Sequence, residues 1–171
     1  MIRDVSEQDA AAIAAIYGHH VLHGTASYDK DPPSADDTLT KIRRIIGEGW
    51  PFLVSEEDGQ VVGYAYATQF RDRAAYAWTC ENSIYVHPDC QGRGFGKILL
   101  RELCRSADEF GFRQMIAVIG GAEPASIALH KACGFDEVGR LRAAGWKHGR
   151  WLDNVYMQLA LGKGSSEPPA V

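Results

Sequence analysis

The feature that most constrains the fold is the stretch of residues 80–109, which predicts a strand, a glycine-rich turn and a helix in succession. The strand, residues 79–87, is rich in β-branched and aromatic residues and ends before Pro88. The turn is QGRGFG, residues 91–96, and apolar residues recur at helical spacing after it. Alternating glycines let the backbone approach a ligand, and the start of the helix directs amide hydrogens toward it. The turn therefore predicts a phosphate-binding loop.

Two other glycine-rich phosphate loops do not fit this turn. A Walker loop requires serine or threonine after Gly-Lys, but Ile98 follows Gly96 and Lys97. A dinucleotide fingerprint requires a third glycine three residues after the second, whereas Gly92, Gly94 and Gly96 alternate. A plain strand-to-helix connection stays open as the alternative.

Several segments together resemble one family. VHPDCQGRGFG resembles the Q-x-x-G-x-G/A acetyl-coenzyme A signature of the GCN5-related N-acetyltransferases (GNAT). WTCENSIYV before it, and ASIALHKACGF and LRAAGWKHGRWLD after it, resemble the branch that acetylates phosphinothricin and methionine sulfoximine. The resemblance implies a single-domain α/β (α+β) fold in which helices flank a mixed, mostly antiparallel sheet with a splayed acetyl-CoA-binding strand.

The resemblance also implies how acetyl-CoA is held. The turn amides of Gly92–Lys97 would bind the pyrophosphate, and a backbone amide near Tyr85 or Val86 would meet the oxyanion. Many relatives have asparagine at the position of Glu123, so Ser126 is the alternative contact for the pantetheine arm. The expected cofactor-binding residues are Ile84, Tyr85, Val86, Gln91, Gly92, Arg93, Gly94, Phe95, Gly96, Lys97, Glu123 and Ser126.

Acetyl transfer to an ammonium group needs a base that removes a proton, and the resemblance points to Glu81. His130 lies where the wider family commonly has tyrosine, and it would protonate the departing thiolate or assist Glu81. The alternatives are a polar residue on a strand face for Glu81 and a hydrogen-bonded core histidine for His130.

Acceptors of this branch are amino acids that carry a carboxylate and a tetrahedral polar group. Arginine can bind such acids with two hydrogen bonds. The expected substrate-binding residues are Tyr28, Arg71, Arg73, Glu81, Asn82, Ser83 and Lys147, with His148 beside Lys147 in a second wall of the pocket.

Composition limits the partners and the compartment. The 171 residues are 46% hydrophobic and 23% charged with a formal net charge of −4, which predicts one domain and neither nucleic-acid nor membrane binding. The four cysteines form no C-x-x-C pair, and no signal peptide or membrane-length apolar run is present, which predicts a reduced cytoplasmic protein.

His19, His20 and His23 suggest a metal site, because His19 and His23 would share a helix face. No carboxylate or cysteine lies beside them at ligand spacing, so no metal is expected.

The predicted element order is strand, two helices, three strands, helix, strand, helix and two strands. The acetyltransferase domain is expected at residues 1–161, followed by a disordered tail at 162–171.

The leading hypothesis is an N-acetyltransferase that moves acetyl directly from acetyl-CoA to the α-amino group of small amino-acid analogues. One alternative acceptor class is polyamines, aminoglycosides or protein N-termini. Another alternative is a coenzyme A-binding module without catalysis. The resemblance also implies a homodimer.

Overall fold

The computed structural model describes residues 1–169, and its element order is the predicted one. Short 3-10 turns lie at 7–9, 74–76 and 88–90. The strands and helices are β1 Ile2–Asp4, α1 Ala10–His23, α2 Ala35–Gly47, β2 Phe52–Glu57, β3 Gln60–Gln69, β4 Thr79–Val86, α3 Phe95–Phe110, β5 Gln114–Gly120, α4 Pro124–Ala132, β6 Asp136–Lys147 and β7 Arg150–Ala160.

The strands form one sheet in the order β1-β2-β3-β4-β5-β7-β6. The β4–β5 pair is parallel, and the other neighbouring strands pair antiparallel. The predicted mixed, mostly antiparallel sheet is therefore confirmed. The parallel pair lies mid-sheet, where a ligand can enter between strands that separate.

Each face of the sheet carries its own apolar core. On one face, Ile42 of α2 packs with Phe52 and Tyr64. On the other face, Leu99 of α3 packs with Ala65. Residues of β3 are therefore buried in an unbroken run, because alternate side chains enter different cores.

Local sequence signals account for several element ends. Asp58 and Gly59 have φ values of 50° and 76° and join β2 to β3 as a two-residue hairpin, for which Asp-Gly is a strong sequence signal. Ser34 caps α2 by accepting a hydrogen bond from the Asp37 amide at 3.1 Å. Along α2, Ile45 is buried, whereas Ile46 is exposed because it lies 100° further around the helix.

The last two strands are longer than predicted. The sequence places their facing ends near Leu141 and Leu152, whereas β6 extends to Lys147 and β7 begins at Arg150. A register shift after Leu141 interrupts the alternation along β6, which hides the strand in the sequence.

Beyond β7 the structure has turns and bends at residues 162–167, within the segment where the sequence predicts disorder. Lys163 pairs with Glu167 at 2.5 Å, and Arg113 Nη2 donates to the Pro168 carbonyl at 3.4 Å. These two polar contacts hold the segment locally. The prediction of disorder considered only the lack of apolar residues, which says nothing about polar contacts. Residues 170–171 lie outside the described residues, and the domain boundary at 161 stays a prediction. Within residues 1–169, no helix has the length and apolar content needed to cross a bilayer.

Candidate active site

A large cleft of about 580 Å³ lies where β4, the glycine-rich turn, α4 and the end of α1 meet. Three histidines of α1, His19, His20 and His23, form one wall. Of the residues predicted to bind the cofactor, those that line this cleft are Ile84, Tyr85, Val86, Gln91, Gly92, Gly94, Phe95, Gly96, Lys97, Glu123 and Ser126.

The glycine-rich turn forms an open cradle in this cleft. Gly92 and Gly94 have φ values of 72° and 88°, which side-chain-bearing residues rarely adopt, and a Cβ atom at either would meet no other atom within 4 Å. Within residues 1–169, the amides of 92–96 make no backbone hydrogen bond, whereas the Lys97 amide donates to the Gly94 carbonyl at 3.1 Å. The cradle therefore offers free amides at the positive end of a 16-residue helix, the arrangement that binds a diphosphate.

Arg93 is the one residue of the predicted cofactor set that does not line this cleft. Its side chain is exposed and forms an ion pair with Glu57 of the β2–β3 hairpin at 2.7 Å, and it is absent from the cleft lining. The ion pair with the hairpin carboxylate holds only the guanidinium, so a cofactor contact through the Arg93 backbone amide, the contact predicted for this turn, stays a prediction.

A second cleft of about 220 Å³ adjoins the first. The two clefts share Ala26, Ile84, Tyr85 and Ser126, so they meet over the middle of β4. The second cleft is called the acceptor cleft below.

Separation of β4 from β5 creates the acceptor cleft. The two strands pair from Thr79 with Gln114 to Asn82 with Ala117 and no further, although β4 runs to Val86. The second half of β4 stays paired with β3 but has no partner on the β5 side, where a gap opens between the two strands. This gap confirms the predicted splayed strand. Its alternate side chains enter different layers, since Ile84 packs with the α3 core and Tyr85 with the α1–α2 core.

Glu81 lines the acceptor cleft and is half-buried. Burial raises the pKa of its carboxyl, and the positive charge of Arg71 opposes this shift by a smaller amount. A carboxylate with a raised pKa in a cleft is suited to accept a proton near neutral pH.

His130 also lines this cleft, but its side chain is bound on both sides. The ring nitrogen Nδ1 lies 2.8 Å from the Ser126 carbonyl oxygen, and Nε2 lies 3.1 Å from Oδ1 of Asn82. Burial lowers the pKa of His130, and the bond to the Ser126 carbonyl offsets this in part. Since both nitrogens have partners in the protein, the geometry favours a ring that orients the cleft wall over one that meets a thiolate.

Three basic residues predicted to bind substrate lie outside both cleft linings. Arg71 and Arg73 are exposed, and the Arg71 guanidinium lies 4.1 Å from the centre of the Phe70 ring. Lys147 is buried, and its ammonium donates to the Ser27 carbonyl at 2.7 Å. Direct contact of these three residues with an acid group of the substrate stays a prediction, since none of them lines a cleft in this arrangement.

Some of the remaining predicted substrate residues line the acceptor cleft, and others do not. Ser83 and Tyr28 line the acceptor cleft. The Tyr28 hydroxyl donates to the Asp153 carbonyl at 3.2 Å, so its ring is fixed in the wall. Asn82 also lines the cleft, but its side chain is buried and contacts His130. His148 lies in the β6–β7 turn near the Gly24 carbonyl and outside the lining.

Sequence reasoning missed four polar residues of the acceptor cleft, Tyr17, Ser27, Asp29 and Asn154. The Tyr17 hydroxyl donates to Asp29 at 2.6 Å, and burial raises the pKa of Tyr17. These residues lie far from the signature stretch in the sequence, and only the fold brings them to the cleft.

The histidines considered for a metal form no such site in the described part of the chain. The rings of His19 and His23 lie 4.7 Å apart, while His20 Nε2 donates to the Val86 carbonyl at 2.9 Å. Within residues 1–169, no three histidine, cysteine or acidic side chains are grouped to hold a metal ion.

Comparison with known proteins identifies the family. Residues 2–156 match the family model described as an acetyltransferase (GNAT) domain. The chain is 43% identical to a phosphinothricin N-acetyltransferase of Alcaligenes faecalis, over 98% of this chain and 86% of that protein. It is 41% identical to an L-methionine sulfoximine/L-methionine sulfone acetyltransferase of Salmonella typhimurium, over 94% of each chain.

A solved structure gives the same answer for the fold. A phosphinothricin acetyltransferase from Sinorhizobium meliloti, crystallised with acetyl-CoA, superposes with a TM-score of 0.98 at 47% identity, covering 99% of this chain and 92% of that one. The cradle, the splayed strand and these matches agree, and the chain belongs to the GNAT family of acetyltransferases.

Proposed function

We propose that this protein transfers the acetyl group of acetyl-CoA to the α-amino group of small amino-acid analogues such as L-phosphinothricin, L-methionine sulfoximine and L-methionine sulfone. The observation that carries the proposal is the junction of the two clefts over β4, with the glycine cradle on one side and Glu81 on the other. The names of the relatives support the acceptor class. Acetylation of such analogues would detoxify them.

The first cleft fits acetyl-CoA. The free amides of the cradle and the exposed Lys97 would hold the diphosphate, while Ile84 and Val86 would flank the pantetheine arm. Glu123 and Ser126 line the facing wall on α4 and are proposed as its further contacts. When bound, acetyl-CoA supplies an activated acetyl thioester.

Glu81 is proposed as the base that takes a proton from the acceptor ammonium, directly or through water. His130 is proposed to fix the wall beside it through the bonds to Asn82 and Ser126. Protonation of the thiolate by His130 remains the second role, and it would require one of these bonds to break.

Direct transfer is favoured over an acetyl-enzyme. None of the four cysteines lines the acceptor cleft. Burial raises the pKa of Cys80, Cys104 and Cys133, which disfavours the nucleophilic thiolate. An attacking amine therefore needs no cysteine intermediate.

One observation favours a second acceptor class. The charged side chains that line the acceptor cleft are Asp29 and Glu81, and no lysine or arginine lines it within residues 1–169. An acidic cleft suits a polycationic acceptor such as a polyamine or an aminoglycoside.

An acceptor panel separates these possibilities. We expect coenzyme A release with L-phosphinothricin, L-methionine sulfoximine or L-methionine sulfone at a kcat/KM at least roughly tenfold above that for spermidine, an aminoglycoside or a peptide N-terminus. A higher kcat/KM for spermidine than for the amino-acid analogues would identify polycations as the acceptor class. Calorimetric binding of coenzyme A without turnover of any acceptor would indicate the non-catalytic module.

We further propose a homodimer that buries the exposed apolar side chains of β6 and β7. Trp146 and Trp151 form an edge-on pair and are 52% and 64% exposed, and Val138 and Leu141 are also exposed. A patch of this kind typically marks a protein contact. Light scattering should give twice the chain mass of 18.8 kDa, and the double variant Trp146→Ser, Trp151→Ser should give the monomer mass. A monomeric parent protein would contradict the proposal.

A cytoplasmic location is proposed as well. The four cysteines are free thiols in the structure. Free thiols persist in reducing compartments.

A further inference from the structure

Asn154 of β7 carries a buried polar atom whose bonding is incomplete. Its Oδ1 atom is buried and has no hydrogen-bond partner, and within residues 1–169 it is the only side-chain nitrogen or oxygen in that condition. Buried acceptors in folded proteins are nearly always bonded, so an exception requires an explanation.

The position of Asn154 supplies one. Asn154 pairs with Gly120 at the end of β5, and it lines the acceptor cleft together with Glu81. An unpartnered acceptor destabilises the free protein, and a ligand that brings a hydrogen-bond donor removes this cost. The cleft is thus adapted to an occupant with an N–H or O–H group.

Charge restricts the kind of donor. Asp29 and Glu81 are the charged side chains of the cleft lining, and the neighbouring Tyr17 hydroxyl is already directed to Asp29. A cationic N–H donor is therefore favoured over an anionic or neutral one. An acceptor substrate carries such a group in its ammonium.

We propose that the Asn154 carboxamide oxygen accepts a hydrogen bond from the amino group of the acceptor and, with Glu81, selects the amine end of the substrate. The proposal rests on the proposed function and adds a specificity residue to it. After Glu81 has taken one proton, the neutral amine still has N–H groups to donate to Asn154. The nitrogen lone pair then stays free.

Two variants test this assignment. Asn154→Leu keeps a similar size without an oxygen, and Asn154→Asp keeps the acceptor. We expect Asn154→Leu to raise the KM of L-methionine sulfone at least tenfold with the KM of acetyl-CoA unchanged, and Asn154→Asp to stay within threefold of the parent. Asn154→Leu should also leave the Tm equal or higher, because it removes an unpaired buried oxygen.

Gln158 of the same strand provides a matched control. Its Nε2 donates to Gln114 Oε1 at 2.8 Å, and it lies outside both cleft linings. Gln158→Leu breaks a bond that is already made, so it should lower the Tm and leave the KM of L-methionine sulfone unchanged.

Calorimetry with L-methionine sulfone in the presence of coenzyme A measures acceptor binding apart from turnover. Weaker binding by Asn154→Leu than by the parent supports the assignment, even if the parent turns nothing over and the proposed function fails. Equal binding by the two proteins overturns the assignment, and a bound water on Oδ1 would give this result. A fall in Tm with loss of affinity for both substrates would show a structural role and overturn it too. If the parent binds no acceptor, both proposals fall.

Discussion

Glu81→Gln should lower kcat by roughly 10²- to 10⁴-fold, the usual contribution of a positioned general base. Glutamine keeps the size and hydrogen-bonding shape of the side chain but cannot accept a proton from the acceptor ammonium. Glu81 lies in the acceptor cleft and outside the lining of the cofactor cleft. Affinity for coenzyme A, measured by calorimetry, should therefore remain within about twofold of the parent, since Glu81 makes no direct contact there.

The pH profile gives a second measure of the same role. Burial raises the pKa of Glu81, so its carboxyl is protonated at pH values where an ordinary glutamate is ionised. A protonated carboxyl cannot take another proton, and kcat/KM should fall as the pH decreases through this raised pKa. Glu81→Gln should lack this acidic limb.

Glu48→Gln is the control, because Glu48 is exposed at the end of α2, away from both clefts. It should show parental kcat and pH dependence. A Glu81→Gln protein with parental kcat, or one that keeps the acidic limb, would exclude Glu81 as the base.

Much of the fold could be predicted because its signals are local. The bounds of α3 and α4 follow from the glycine turn before Phe95, Gly111 after Phe110, and Pro124 at the start of α4. The extension of β6 could not be predicted, since its exposed residues lack alternation and Ala143 adopts a φ of 48° where the register shifts. Pairing with β7, a non-local property, makes this segment a strand.

In the candidate site, too, features set by local sequence could be predicted, and features set by distant contacts could not. The cradle and Glu81 both lie in the stretch of residues 80–109 that carries the family signature, so the sequence could place them together. The directions of Arg71 and Lys147 depend on nearby partners, Phe70 for one and the Ser27 carbonyl for the other. Residue type alone suggested that these charges face the substrate. Asn154 carried no signal in the sequence, because an unpaired oxygen becomes evident only when its neighbours are in place.

Gly94→Ala should weaken coenzyme A binding by roughly tenfold or more. Gly94 has a φ of 88°, and an L-residue held in the left-handed region costs about 1–2 kcal/mol. No neighbouring atom lies within 4 Å of a Cβ atom at this position, so nothing would hold the alanine in the strained conformation. The backbone is therefore expected to relax and displace the amides that would hold the diphosphate. Calorimetry with coenzyme A measures the affinity.

Gly111→Ala separates the effect on the cradle from general strain. Gly111 ends the same helix with a φ of 114°, and a Cβ atom there also meets no neighbour within 4 Å. Both variants should therefore lose a similar amount of stability, about 2–8 °C in Tm for a chain of this size. Only Gly94→Ala should lose coenzyme A affinity, because Gly111 lies at the far end of α3 from the cleft. Equal affinities in the two variants would mean that the cradle amides do not bind the diphosphate, and would remove the basis for acetyl-CoA as the substrate of the first cleft.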